Sequence, residues 1–280
     1  MKITYFGTGA GAGIPEIFCS CRVCNNAREM GGKDIRTRSG ALVDGVMAID
    51  FSVDTFAHSA FYGMDMRRVR DIVITHAHHD HFMCDDIFSR PQGLDSPIRF
   101  YSSEKGLSGL KRKIEILEER YANGKKRPEN FSVIPETLGV FEQRKILGYT
   151  VTALPANHAK GIDAMIFVIE KNGKSVLWAH DTGLLPEETE EWIRASGICF
   201  DMISLDCTLK RGEPITASHM DLDRCIETAE RLRESGNANG NTRIIISHIG
   251  HLVERTHAEL CAETAEWGIE VAYDGMTVEI

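Results

Sequence analysis

Residues 75–82 read Thr75-His76-Ala77-His78-His79-Asp80-His81-Phe82, which puts four histidines and an aspartate into six consecutive positions. In an extended segment, residues two apart point the same way. His76 and His78 can therefore grip one metal together. If the chain then turns, Asp80 and His81 face a neighbouring metal. Imidazole and carboxylate donors suit Zn, Mn, Fe or Ni. A strand that empties into His-x-His-x-Asp-His is a ligand loop rather than a solvated one. A second cluster is Cys19-Ser20-Cys21-Arg22-Val23-Cys24, three of the eight cysteines in six residues. Three thiols need a fourth ligand to close a tetrahedral structural zinc site. His251, three residues after His248, can reach the cluster from the C-terminal half.

The elements that must position these groups are legible from periodicity and turn chemistry. Lys2–Phe6 is a strand running into a glycine loop. Ala41–Val43 and Val46–Ile49 flank Asp44-Gly45, a hairpin signal. A helix is expected over Asp54–Met66, and Arg70–Thr75 is an apolar strand that ends at the histidines. Ile98–Tyr101 is a strand and Glu104–Arg120 an amphipathic helix. Tyr149–Leu154, Ala164–Ile169, Ser175–Ala179, Met202–Leu205 and Arg243–Ile246 are strands. Pro186–Ala195, Asp221–Ser235 and Thr256–Trp267 are helices, and Asp274-Gly275 turns into a last strand. Runs of strands followed by alternation with helices imply two sheets packed face to face with helices outside, an α/β four-layer αββα sandwich. No linker separates the halves, so residues 1–280 are expected to form one unit. The region from Glu104 to Gln143 is less regular and is expected to shape the pocket mouth.

Composition narrows the function. The 42% hydrophobic and 26% charged fractions are those of a soluble globular protein. The formal net charge is −9, without the basic stripe of a nucleic-acid binder. No apolar run is long enough to span a membrane, and no secretory signal is visible. The chain is accordingly expected in the cytoplasm, where its cysteines are thiols or metal ligands. Gly7-Thr8-Gly9-Ala10-Gly11-Ala12 fits a loose dinucleotide pattern, but no helix opens there. We read it as close backbone approach beneath the metal site.

The histidine motif resembles the signature of the metallo-β-lactamase superfamily. The resemblance covers nearly the whole chain. It implies that His76, His78 and His158 hold one metal, that Asp80, His81 and His248 hold the other, and that Asp181 bridges them. His158, Asp181 and His248 each follow a strand, in the expected order. A hydroxide shared by the two metals would be the nucleophile, and Asp80 would be required for turnover. Asp50 ends a strand and would orient a ligand. Many members have Asp-x-Gly there, where this chain has Asp50-Phe51-Ser52, a departure that bears on how the backbone runs beneath the metals.

One branch of the superfamily, the cyclic phosphodiesterases of phosphonate degradation, is similar in more places. It has Cys-x-Cys-x-x-Cys and a histidine three after the last active-site histidine, matched here by Cys19, Cys21, Cys24 and His251. Asn157-His158-Ala159-Lys160, Asp206-Cys207, His219-Met220-Asp221-Leu222 and Asp274-Gly275-Met276 also match. The resemblance implies that His219 assists as general acid, with Asp221 holding its ring and Lys160 meeting a phosphate. The expected function is a metal-dependent hydrolase, a phosphodiesterase acting on a small, phosphoribosyl-cyclic type of phosphodiester. It would use two divalent metals (Zn, Mn or Fe) and one structural Zn. The expected partner is that small molecule, with no nucleic acid and no membrane, and the chain is taken as able to form a homodimer. Alternatives are a tRNA 3′-end endonuclease, which needs a basic arm absent here, a lactone or thioester hydrolase, and a metal-stabilised cofactor-binding protein, whose active-site motif would be degraded.

Overall fold

A computed structural model describes residues 1–89, 97–125, 132–212 and 218–280. The chain runs β1 (Lys2–Gly7), α1 (Arg22–Met30), β2 (Gly40–Val43), β3 (Met47–Ile49), α2 (Thr55–Phe61), β4 (Asp71–Val73), β5 (Ile98–Ser102), α3 (Ser108–Ala122), β6 (Val133–Thr137) and β7 (Gln143–Ile146). It continues through β8 (Tyr149–Pro155), β9 (Met165–Lys171), β10 (Lys174–Ala179), α4 (Glu187–Ser196), β11 (Met202–Asp206), α5 (Leu222–Glu234), β12 (Arg243–Ser247), α6 (His257–Thr264), β13 (Ile269–Val271) and β14 (Thr277–Glu279).

The strands form two seven-stranded sheets, ordered β14-β1-β2-β3-β4-β5-β6 and β13-β12-β11-β10-β9-β8-β7. Side chains alternate across a strand, and the alternation sorts the core into layers. Met165, Phe167 and Ile169 of β9 meet Tyr5, Ala41, Ile49 and Val73 between the sheets. Ile166 and Val168, on the opposite face, pack against Val23 and Ala27 of α1, Ile193 of α4 and Ile226 of α5. On the outer face of the first sheet, Leu42, Ile72 and Phe100 pack with Leu107 and Leu110 at the start of α3. The result is the expected αββα order. With both faces covered, the inner strands are continuous apolar runs rather than alternating ones. Among the described residues no helix is long and apolar enough to cross a membrane.

Local chemistry sets the helix ends. Pro186 precedes α4, and Glu187, Glu188 and Glu190 fill its first turn, where the helix dipole favours negative charge. Thr256 and Glu259 form a reciprocal capping box on α6. Asp44 and Gly45 both take positive φ in the β2–β3 turn, as the Asp-Gly signal requires. The expected helix over Asp54–Met66 is shorter, ending at Phe61. The Glu104–Gln143 region is more regular than expected, since it contains α3 and β6, and β6 pairs with β5 in parallel. Part of that region, residues 126–131, lies outside the described residues. Lys105, within the described part of that region, forms an ion pair at 2.8 Å with Asp163 in the loop after His158.

Candidate metal centre

Parallel pairing of β3 with β4, and of β10 with β11 and β11 with β12, sends their C-terminal ends to one edge of the sandwich. β8 reaches the same edge through two antiparallel steps. Asp50, the 76–81 loop, His158, Asp181, Asp206 and His248 all leave strands there, as is usual for sites in open α/β sheets. Asp50, Asp181 and His248 have φ of 63°, 52° and 54°. Left-handed backbone at a residue other than glycine costs about 1–2 kcal/mol. Three such residues at one edge show that the fold spends stability to aim these side chains.

The donors converge in two groups. His76 Nε2 lies 2.8 Å from His78 Nδ1, which lies 3.2 Å from His158 Nε2. His81 Nε2 lies 3.2 Å from His248 Nε2 and 3.4 Å from Asp80 Oδ2. One atom belongs to both groups: Asp181 Oδ2 is 3.2 Å from His76 Nε2 and 2.7 Å from His81 Nε2. The seven residues thus form two four-donor sets sharing Asp181. Asp181 Oδ1 is buried and makes no hydrogen bond. That oxygen still lies 3.3 Å from Nδ1 of His219 and of His248, so the carboxylate is not isolated. Ring nitrogens and carboxylate oxygens crowded onto two points are the donor chemistry that a pair of divalent cations takes.

The opposite ring nitrogens of His81, His158 and His248 are also held, which favours the tautomer that leaves a lone pair for a metal. His81 Nδ1 donates to Asp50 Oδ2 at 2.7 Å. His158 Nδ1 donates to the Ser218 carbonyl at 3.1 Å. His248 Nδ1 donates to Thr208 Oγ1 at 2.9 Å, while that hydroxyl donates to the His248 carbonyl. Asp50 also accepts the Thr75 backbone and hydroxyl donors at 2.9 Å each. Ser52 raises no obstacle beneath the site, because its φ is not positive and no glycine is needed there. Burial works against the charge on Asp181, but His248 and His81 hold its carboxyl well below the usual carboxylate range.

His219 sits beside this centre, stacked on His248 with ring centroids 5.8 Å apart. Its Nδ1 is 3.1 Å from Asp206 Oδ2. Burial lowers its basicity, and the Asp206 charge raises it past the ordinary imidazole value. The acid beside His219 is therefore Asp206, not Asp221, which corrects the sequence expectation. Asp221 faces away to cap α5, accepting Arg224 N at 3.0 Å and Gly212 N at 3.0 Å. Asp206 is fully buried and accepts from Thr208 N, Met220 N and Asp181 N. Burial works to raise its carboxyl, but the charges and hydrogen bonds of His219 and His248 together pull it down to about 2. A carboxylate ending the apolar run Met202–Leu205 was the signal for a role that the sequence reading did not assign. Lys160 is exposed on the His158 loop. His180 is not part of the centre: burial pushes it down to about 3, and Nε2 bonds Ser204 at 2.7 Å.

The cysteine cluster also assembles. Cys21 caps α1, a helix that is not among the elements expected from the sequence. Cys19 Sγ and Cys21 Sγ lie 3.4 and 3.7 Å from His251 Nδ1. Cys24 completes a four-donor set. Backbone N–H groups of Glu16, Cys21 and Cys24 donate to Cys24, Cys19 and Cys21 sulfurs. Against burial, such bonds bring the Cys21 thiol down to about 6, whereas burial pushes that of Cys24 up to about 12. Glu16 Oε2 lies 3.3 Å from His251 Nε2 and orients the ring. Three sulfurs and one imidazole fit a closed tetrahedral zinc site.

A family model described as the beta-lactamase superfamily domain matches residues 46–249. The solved structure of a diphosphatase from the PhnP family is similar, with a TM-score of 0.74 at 22% identity, covering 100% of this chain and 97% of that one. Zinc-bound PqqB from Methylobacterium extorquens gives a TM-score of 0.69 at 18% identity, with 100% of both chains covered. Human tRNase Z, short form, gives 0.65 at 16% identity, with 100% of this chain and 99% of that one covered. At these identities the likeness is one of fold. An octanoyltransferase of Porphyromonas gingivalis is 34% identical over 85 residues, 29% of this chain and 16% of that protein, so the match spans about a sixth of its length.

Proposed function

The chain belongs to the metallo-β-lactamase superfamily, and from that premise we propose that it is a phosphodiesterase that hydrolyses a small phosphodiester at a two-metal centre. The observation that carries this reading is the sharing of Asp181 Oδ2 between the two donor groups. The metals would be divalent Zn, Mn or Fe held by His76, His78 and His158 and by Asp80, His81 and His248, with Asp181 between them. When bound, such a pair supplies Lewis-acid charge at the phosphoryl group and acidifies the attacking water.

The protein's own part is positioning and proton transfer. Asp206 anchors Nδ1 of His219 and leaves Nε2 as the proton donor for the leaving oxygen. The Asp206 charge raises the basicity of His219 above the ordinary imidazole value, against burial, which favours the protonated form the role needs. Asp50, Thr208 and Ser218 hold the ligand rings so that no reorganisation is needed as charge develops. Lys160 is the proposed contact for an outer phosphate oxygen. The net charge of −9 favours a small substrate over tRNA. We read residues 1–280 as one cytoplasmic hydrolase unit.

The test is a substrate panel on protein loaded with Mn or Zn: cyclic and linear phosphodiesters, a lactone, a thioester and a tRNA precursor. Cleavage of small diesters in preference to the others supports the reading. No diester turnover with the metals in place sinks it.

A further inference from the structure

We propose that the Cys19, Cys21, Cys24 and His251 cluster controls metal binding at one subsite of the histidine centre, that of Asp80, His81 and His248, and leaves the His76, His78 and His158 subsite alone. This rests on reading both clusters as metal sites.

The clusters share a short strap of backbone. His248 ligates at one end and His251 at the other. Between them Ile249 docks on the N-terminal loop: its N–H donates to Thr8 O at 2.8 Å, and its carbonyl accepts Ala10 N at 3.2 Å. Gly250 has no room to shift, since a Cβ there would lie 2.7 Å from Thr208 O. Thr208 is also the residue that holds His248 Nδ1. A pull on His251 is thus passed to His248 through two residues, Ile249 and Gly250, clamped on both sides.

The same N-terminal loop passes beside the second ligand of that subsite. A Cβ on Gly11 would lie 3.2 Å from Asp80 Oδ2, so the space beside the Asp80 carboxylate is set by where the Gly11 backbone runs. Arg38 Nε holds the Gly11 carbonyl at 2.9 Å. Farther along, Arg28 donates to the Glu16 and Cys19 carbonyls at 2.6 Å each, tying the loop to α1 and the thiols. Both Asp80 and His248 therefore lean on a segment whose far end is fastened by the cysteine cluster. The other subsite is supported elsewhere. Met165 N donates to Thr75 O, and Ser218 O holds His158. None of these contacts runs through residues 8–24. Soft thiolates retain zinc better than imidazole and carboxylate donors do, so the cysteine site fills first and braces the weaker one. Such coupling is reciprocal.

The test is calorimetric titration of the metal-free full chain with Zn²⁺, checked by elemental analysis, for the parent, Cys19→Ser and Gly11→Val. The parent is expected to bind about three ions. Cys19→Ser should lose the cluster ion and bind one histidine-centre ion about 10–100-fold more weakly, with the other unchanged, the usual size of losing outer support. Gly11→Val keeps every ligand and crowds Asp80, so it should show the same selective weakening with the cysteine-site zinc retained. Should Cys19→Ser not fold, the reciprocal arm decides: Asp80→Ala, which weakens that subsite directly, should also weaken zinc at the cysteine cluster, and an unchanged cluster affinity overturns the coupling. Unchanged affinities at both histidine-centre subsites would overturn the coupling but leave the two-metal reading. A parent that holds only one ion there overturns that reading, and the coupling with it.

Discussion

Asp206 Oδ2 lies 3.1 Å from His219 Nδ1 and 3.2 Å from His248 Nδ1. One buried carboxylate thus serves the proposed proton donor and a proposed metal ligand together, and it also accepts the backbone N–H of Asp181. A full charge buried this deeply is tolerable only with such partners.

This arrangement separates two roles by leaving group. His219→Ala should lower kcat by about 10²–10⁴ on a diester with an alkoxide leaving group, the usual worth of a general acid. A p-nitrophenolate ester needs little protonation and should lose far less, with KM little changed. Asp206→Asn should follow the same pattern but also weaken metal binding, because it touches His248. Equal losses on both ester types in His219→Ala would remove His219 as the acid.

Asp80→Ala should abolish turnover while leaving the fold intact. Its carboxylate lies at the rim of one subsite, 3.6 Å from His248 Nε2, and contributes nothing to the apolar layers. Circular dichroism and a metal count would check this, with a loss of about one ion expected. A fully active variant would refute the assignment.

Asp50→Ala addresses a residue whose carboxylate takes the His81 Nδ1 proton and both Thr75 donors. Removing it frees the ring to turn and lowers its donor strength. Metal affinity at that subsite should fall about 10–100-fold, read by competition with a chromogenic chelator. An unchanged affinity would mean that packing alone holds the ring.

The convergence of the candidate donors was legible because side chains two apart in a strand exit point the same way, and because each remaining donor follows an apolar run. The sandwich was legible for the same reason, from runs such as Ala164–Ile169 that are too apolar to be exposed on either face. What escaped was either short or made by distant partners. β7 is Gln143-Arg144-Lys145-Ile146, a polar edge strand with no alternation to detect, and β13 is only Ile269–Val271. α1 opens on Cys21 in place of a usual capping residue. The Asp206–His219 pairing joins the end of a strand to a loop 13 residues on, and nothing local in sequence separates it from the nearer Asp221.

Gly7 and Gly109 should respond in opposite directions to alanine. A Cβ at Gly7 would lie 1.8 Å from the Arg38 carbonyl and 2.8 Å from His58 Nε2. Backbone would have to move, and Gly7→Ala should cost at least about 1–3 kcal/mol in denaturant unfolding. Gly109 meets nothing within 4 Å in the first turn of α3, so alanine there should be neutral or stabilising by up to about 1 kcal/mol. A harmless Gly7→Ala would show that the β1–β2 contact is looser than the geometry states.

His58 predicts how stability depends on pH. Its ring is fully buried between Gly7 and Gly40, with Nε2 beside Thr37 Oγ1 at 3.0 Å and Nδ1 without a partner. Burial pushes it down to about 4, against the pull of Asp54. The folded state therefore binds the proton less readily than the unfolded chain, whose imidazole titrates near 6.5. Its contribution is fully present above that value and is lost as pH falls toward 4, a change of about 3 kcal/mol. Urea unfolding of metal-free protein at pH 7 and pH 4 should show this. His58→Gln carries no such proton, so its stability deficit relative to the parent should shrink by about that amount at the lower pH. A deficit that stays constant across the window would show that His58 charges without cost, and that the pocket between Gly7 and Gly40 admits water.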